Sequence, residues 1–331
     1  MNETPQAYPK IVVIGGGNGT STLLKGLREY TPHLTALVAM ADNGGSTGTL
    51  RRELDVLPPG DARLCLIALG NNSEVQDLFS YRFDKGGLAG HNFGNLFLSA
   101  AESMTGSFEQ ALEVAQKALN TTGQVLPSTT DKVELMLQDG DRTIVGEDAI
   151  NEGSLEHPGS PKIWLEPAAH LSASGAEAIA QADLVVVAPG LLYCSLASAL
   201  LVEGIKAALE QTSAKIVYAC NLVNIPRHTP GFKVHNYVSE IERLVGAPVI
   251  DYVLYSTKLP AAEYLRNGET GVAFDVDAVK DAHYQAVGFP LVNENPVVAD
   301  PSDKIAHTRA SVRHDSHAVA QALMHIHQGT L

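Results

Sequence analysis

The sequence predicts an α/β fold with a mainly parallel sheet flanked by helices, and three observations carry the prediction. Apolar runs recur at Ile11–Ile14, Leu34–Met40 and Leu184–Val187, as strands buried on both faces require. The first run leads into four glycines, at 15, 16, 17 and 19, and then into TSTLLKGLREY, where Leu23, Leu24 and Leu27 share a helical face. Strand and helix patterns then keep alternating at the spacing of crossover units.

In order along the chain, residues 1–9 read as a flexible arm, and residues 10–41 form the first strand–helix–strand unit. Thr49–Leu54 is a short helix halted by ProProGly at 58–60, and Asp61 is placed to cap the helix in DARLCLIALGN. Residues 74–83 are helical, KGGLAGHN at 85–92 is a loop, and Phe93–Ser103 and Phe108–Leu119 are two further helices. From 124, QVLPSTTDKVELMLQDGDRTIVGE reads as a small antiparallel meander, with Val133, Leu135 and Leu137 alternating and GlnAspGlyAsp as its turn.

Glu147–Glu152 is a short helix, followed by a GSLEHPGS loop, and Pro161–Pro167 is a short edge strand. SASGAEAIAQA is a helix, Asp183 precedes a buried strand, and residues 195–210 form one helix. AKIVYACNLV is another buried strand, 235–245 a helix, 251–257 a strand, and 261–266 a helix start. Val297–Ala299 is a short strand and His307–Gln321 a final helix. No linker interrupts this pattern. The expectation is one Rossmann-like domain over 10–331, with a helical segment at about 74–120 and a β-meander insertion at about 124–146.

Hydrophobic residues make up 45% of the chain and mean hydropathy is +0.01, as in soluble globular proteins. A formal charge of −14 argues against general nucleic-acid binding but leaves room for a local basic pocket. Cys65, Cys194 and Cys220 lie in apolar segments without metal spacing, so they read as buried thiols. The segment MNETPQAYPK has no apolar core, and no long charge-free apolar span follows. No membrane span is expected, and the cytoplasm is the expected location.

The chemistry concentrates in four places. The glycine turn lets backbone N–H groups approach an anion, with the helix start adding its positive end. It fits GlyXaaGlyXaaXaaGly at Gly15 and Gly17 but has Thr20 at the third glycine position, so the dinucleotide fingerprint is incomplete, and no GlyLysSer/Thr makes a P-loop. Asp42 opens AspAsnGlyGlySerThrGly, a polar loop that suits a base or sugar pocket, a ribose contact or simply a capped turn. Asp42 and Asp61 together form a candidate site for Mg²⁺ or for sugar hydroxyls, while Arg51, Arg52 and Arg63 are candidate phosphate or carboxylate ligands. GlyHisAsnPheGlyAsn presents His91, Asn92 and Asn95 at a helix start. AlaProGlyLeuLeuTyrCysSer at 188–195 is the expected second anion contact, where a helix-start Cys194 would have a lowered pKa, and Asn221 and Asn224 end the next strand. The histidines at 307, 314, 317, 325 and 327 match no zinc signature and read as a solvated or oligomer-facing helix.

GGGNGTSTLLKGL, ADNGGSTGTLRREL, LPPGDARLCLIAL, HNFGNLFL and APGLLYCSL, in this order, resemble the YvcK-like proteins known as gluconeogenesis factors, relatives of the CofD-type phospholactate transferases. IleTrpLeuGluPro and AlaAspLeuValValValAlaProGly fit the YvcK-like branch, and the resemblance covers roughly residues 10–300. It implies a Rossmann-like core, frequent homodimers and binding of UDP-N-acetylglucosamine, with influence on gluconeogenic growth, cell shape and envelope synthesis. The transferase relatives join a phosphorylated lactyl group to a deazaflavin using magnesium, and Asp42 and Asp61 match their metal-holding positions.

The ligand-binding set expected from residues and resemblance together is Gly15, Gly16, Gly17, Asn18, Gly19 and Thr20; Asp42, Asn43, Gly44, Gly45 and Ser46; Arg63; His91, Asn92 and Asn95; Pro189, Gly190, Leu191 and Tyr193; and Asn221. Leu191 and Cys194 stand where the family carries hydroxyls, and Leu64 where it carries asparagine. The leading expectation is a regulatory nucleotide-sugar binding protein, homodimeric, with envelope-synthesis or signalling proteins as partners and no established cofactor. The alternative is a Mg²⁺-dependent transferase acting on a nucleotide-activated phosphoryl or lactyl-phosphate donor. A nicotinamide oxidoreductase fits worst, lacking both the third glycine and a hydride-transfer constellation.

Overall fold

A computed structural model describes residues 8–157, 161–266, 268–295 and 312–330, and a seven-stranded parallel sheet organises them. The chain opens with β1 (Ile11–Gly15), α1 (Gly17–Leu27) and β2 (Leu34–Val38). A helical run follows, α2 (Gly45–Leu54), α3 (Gly60–Leu69), α4 (Ser73–Ser80), α5 (Phe93–Thr105) and α6 (Phe108–Leu119), ending at the edge strand β3 (Gln124–Pro127). The chain then leaves this sheet for β4 (Glu134–Asp139), β5 (Arg142–Val145), the short helix α7 (Glu147–Glu152) and β6 (Lys162–Glu166). β4, β5 and β6 form a separate antiparallel sheet.

Helix α8 (Ala173–Ala180) leads back to β7 (Leu184–Val187). After it come α9 (Ala197–Leu200), α10 (Ile205–Gln211), β8 (Lys215–Ala219), β9 (Val223–Asn224), α11 (Val234–Val245), β10 (Tyr252–Ser256), β11 (Thr270–Gly271), β12 (Gln285–Phe289) and α12 (Ser316–Gln328). The main sheet has the order β12-β10-β8-β7-β1-β2-β3. The first three strands therefore run outward on one side of β1 and the later ones on the other. This reversal between β1 and β7 opens a crevice at the strand C-termini, where ligands of open α/β sheets bind.

Alternation along each strand feeds two cores. Val12, Ile14, Leu37, Val185 and Val187 face α8–α11 and the small sheet, whereas Ile11, Val13, Ala36, Val38, Leu184 and Val186 face α1, α3, α6 and α12. Burial on both faces explains the unbroken apolar runs. A Cβ at Gly26 would overlap the Ser316 carbonyl oxygen, so α1 and α12 pack backbone to backbone.

Several expectations change. Gln124–Pro127 is not part of a meander; it pairs in parallel with β2, and the third strand of the small sheet is β6 instead. The helix expected over 195–210 is broken, because Gly204 takes φ +100° and the chain pauses to bond Glu203 N–H to the Ala169 carbonyl. The helix expected at 261–266 is a single tight turn, Ala262–Tyr264. β12, within a segment without a clear pattern, is a strand paired with β10. The final helix starts at Ser316 with Asp315 as its cap, its Oδ1 accepting the Ala318 N–H at 2.9 Å. The strand expected at Val297–Ala299, His307, and most of the N-terminal arm lie outside the described residues. No helix among the described residues is long and apolar enough to cross a membrane.

Candidate functional site

A cavity of about 540 Å³ opens at the crevice between β1 and β7, within the size range of small-molecule sites. Its floor is the first glycine turn. A Cβ at Gly19 would overlap the carbonyl oxygen of Pro189, so the turn after β1 and the ProGly bend after β7 are in direct backbone contact. Asn221 fixes that bend: its Nδ2 donates to the Gly190 carbonyl at 2.8 Å, and its Oδ1 accepts the Gly190 N–H at 3.3 Å and the Tyr218 hydroxyl at 3.0 Å.

Four helices begin at this cavity, α1 after Gly16, α2 after Gly44, α3 after Pro59 and α5 after Asn92; the first turn of α7 also lines it, but there Asn43 Oδ1 accepts the Asp148 N–H. None of the four has a side-chain hydrogen bond capping its N-terminus. Of the helices that start elsewhere, α4 is capped by Asn72, α6 by Ser107, α8 by Ser172 and α12 by Asp315, whereas the residues preceding α9, α10 and α11 make no such side-chain cap. The sequence builds the contrast. Gly16, Gly44 and Pro59 carry no capping oxygen, and Asn92 turns its amide away, donating to the carbonyls of Ser80 and Tyr81. First-turn N–H groups and the positive ends of four helix dipoles are thereby concentrated on one space.

Carboxylates share the cavity. Asp42 Oδ1 accepts the Gly44 N–H at 3.0 Å, closing the turn before α2. Asp61 does not cap α3; it sits in the first turn and lies against Gly16 and Gly17, where a side chain would collide with it. Glu147 and Asp148 arrive from α7, tied in by Asn43, whose Oδ1 accepts the Asp148 N–H at 2.9 Å and whose Nδ2 donates to Glu134 at 3.1 Å. Burial, followed by Asp42, Asp61 and Asp148, pushes the Glu147 carboxyl well above its ordinary pKa, and burial raises Asp42. Glu147 Oε2 is buried without a hydrogen-bond partner.

Among the described residues no group of three or more His, Cys, Asp or Glu side chains is arranged to hold a metal by itself. The pair Asp42 and Asp61, with an unpartnered Glu147 oxygen nearby, fits a magnesium ion that takes its remaining oxygens from a bound phosphate and water.

Most of the expected ligand set lines the cavity; Gly15, Thr20 and Tyr193 do not. Tyr193 is buried, its hydroxyl donating to Glu240. Asn224 binds the Phe232 carbonyl and Thr270, away from the crevice. Arg51 is a brace, donating to the carbonyls of Ala41, Asp42 and Val133, while Arg52 and Arg63 line the cavity. Cys194 lies in a buried turn with its thiol pKa raised by burial and then by Glu147, the opposite of a helix-start thiolate. Of the two positions without the family hydroxyl, only Leu191 reaches the cavity.

Sequence reasoning missed Glu147, Asp148, Arg313 and His314. His314 Nε2 meets the Cys220 carbonyl at 3.0 Å, and burial pushes the imidazole down to about 4, so it is neutral.

Residues 11–292 match the family described as 2-phospho-L-lactate transferase CofD. The gluconeogenesis factor of Bacillus subtilis is 36% identical over 96% of this chain and 97% of its own length. The gluconeogenesis factor of Halalkalibacterium halodurans is 39% identical over 74% of this chain and 76% of its own. A crystal structure of a Bacillus halodurans protein superposes with a TM-score of 0.84 at 31% identity, covering 96% of this chain and all of that one.

Proposed function

The chain belongs to the CofD family and to its gluconeogenesis factors, and from that premise we propose that it binds a nucleotide sugar, UDP-N-acetylglucosamine, as a regulatory signal. In this reading a cytoplasmic homodimer links central carbon metabolism to envelope synthesis and cell shape, acting on envelope-synthesis or signalling proteins. The observation that carries it is the set of four helix N-termini without a capping side chain around one cavity, whereas α4, α6, α8 and α12, which start elsewhere, are capped. Uncapped N-termini favour phosphate, and a diphosphate offers oxygens to more than one of them. The test is titration calorimetry with UDP-N-acetylglucosamine, followed by chromatography of the ligand. Saturable heat with the ligand recovered intact supports a binding protein; no heat and no thermal shift refute it. Native mass spectrometry of the same sample reads the dimer.

One observation favours a second reading, a Mg²⁺-dependent transferase acting on a nucleotide-activated phosphoryl or lactyl-phosphate donor. It is the partnerless buried oxygen of Glu147 beside Asp42 and Asp61. When bound, magnesium would draw negative charge from the phosphates. The residues themselves would hold the ion (Asp42, Asp61) and keep the donor phosphates over the glycine turn. Loss of a nucleotide donor that requires Mg²⁺ and disappears in Asp61→Asn supports this reading, and a donor that stays intact with every acceptor tried opposes it.

A further inference from the structure

We propose that a directional hydrogen-bond relay, Arg63–Asn95–Ser46–His91, fixes His91 as an obligate donor to an acceptor oxygen of the ligand. The polarity follows from chemistry at one end. Arg63 is buried, and its Nε, which can only donate, lies 2.8 Å from the Asn95 side-chain oxygen. The Asn95 amide is therefore oriented with Oδ1 toward Arg63, and its Nδ2 donates to Ser46 Oγ at 3.3 Å. Ser46 Oγ has one proton, and its remaining neighbour is His91 Nδ1 at 2.9 Å. A hydroxyl has two lone pairs and could accept from both neighbours, but its own proton would then have no partner among the described residues; donation to Nδ1 gives it one, so we assign Nδ1 as acceptor and the ring proton to Nε2.

The relay is held on both sides. A Cβ at Gly94 would come within 2.7 Å of Arg63 Cδ, so the guanidinium stem is packed against α5. The His91 backbone is fixed by its N–H to the Leu88 carbonyl at 2.9 Å and its carbonyl to the Phe83 N–H at 2.9 Å. His91 is half-buried and lines the cavity. An imidazole bearing its proton on Nε2 suits a phosphoryl or carbonyl oxygen and disfavours a ligand N–H or O–H at that place. Arg63, Asn95 and Ser46 are thus positioning residues, acting on the ligand through His91. The ligand half of this inference rests on the nucleotide-sugar reading; the tautomer half does not.

Nitrogen-15 NMR of the imidazole nitrogens of the full chain, at pH about 8 where histidine is ordinarily neutral, reads the tautomer directly. The expected result for the parent is a protonated Nε2 and a bare, hydrogen-bonded Nδ1. A protonated Nδ1, or an even mixture, overturns the relay. Asn95→Asp reverses it: the carboxylate accepts from both Arg63 and Ser46, so Ser46 accepts from His91 and the proton moves to Nδ1. UDP-N-acetylglucosamine should then bind about ten-fold or more weakly by calorimetry, and the weaker Ser46→Ala variant should show a tautomer mixture. A flipped tautomer with unchanged affinity overturns the ligand half. Absence of heat with the parent protein counts against the nucleotide-sugar reading, while the NMR result stands by itself.

Discussion

Replacing Gly19 with alanine probes the contact between the two bends that form the cavity floor. Gly19 has no left-handed backbone requirement, so the effect is steric. Its Cβ would overlap the Pro189 carbonyl oxygen and lie 2.8 Å from the Pro189 carbonyl carbon, and both are backbone atoms that cannot rotate away. The ProGly bend is also pinned by Asn221, so moving it breaks two hydrogen bonds. Overpacking strain costs about 1–3 kcal/mol. The two bonds contribute about 1–3 kcal/mol together, and the helix-propensity gain of alanine over glycine offsets roughly 1 kcal/mol. The net loss is about 1–5 kcal/mol. Urea unfolding of Gly19→Ala against the parent measures it, and calorimetry with the nucleotide sugar measures the accompanying loss of affinity. Gly26→Ala is the control: it makes the same kind of clash, with Ser316, but away from the cavity, so stability falls and affinity holds. A Gly19→Ala protein as stable and as well able to bind as the parent would refute the reasoning.

Glu147→Gln should melt at a higher temperature than the parent at pH 7 in metal-free buffer, because burial and three neighbouring carboxylates disfavour the charge it removes. A raised carboxyl pKa means the folded state binds the extra proton, so this advantage should shrink as pH falls toward about 4.5, the ordinary glutamate range; melting curves across that range check it. His314 has the opposite sign: its pKa falls from 6.5 to about 4 on folding, so the unfolded chain binds more protons between those values. The associated stability is complete above about pH 6.5 and declines toward pH 4, and His314→Gln should flatten that decline in urea midpoints. Leu191→Ser should strengthen nucleotide-sugar binding, whereas Cys194→Thr should leave binding nearly unchanged and lower stability, since only Leu191 faces the cavity; calorimetry and thermal unfolding separate the two.

The first strand–helix–strand unit was legible because its strands are buried on both faces and its helix carries Leu23, Leu24 and Leu27 on one side. Gln124–Pro127 was not. Four residues show no period of their own, and only the pairing with β2 decides which sheet they join. The glycine turn, the AspAsnGlyGlySer loop and the ProGly bend were readable as cavity walls, since each lies at a strand end. Glu147 and Asp148 were hidden because an ordinary-looking short helix is carried to the crevice by the Asn43 bonds, more than a hundred residues away in sequence. His314 was misread as part of a helix, since nothing local reports that it sits before α12 against the Cys220 carbonyl. Missing caps were visible in principle: Gly16, Gly44 and Pro59 precede helices where Ser, Thr, Asp or Asn would ordinarily stand.

The most direct measurement is a crystal structure of the protein with UDP-N-acetylglucosamine. The account requires the diphosphate over the first turns of α1 and α2, within hydrogen-bond reach of their backbone N–H groups. A nucleotide found elsewhere on the surface, or an empty cavity at saturating ligand, would contradict it.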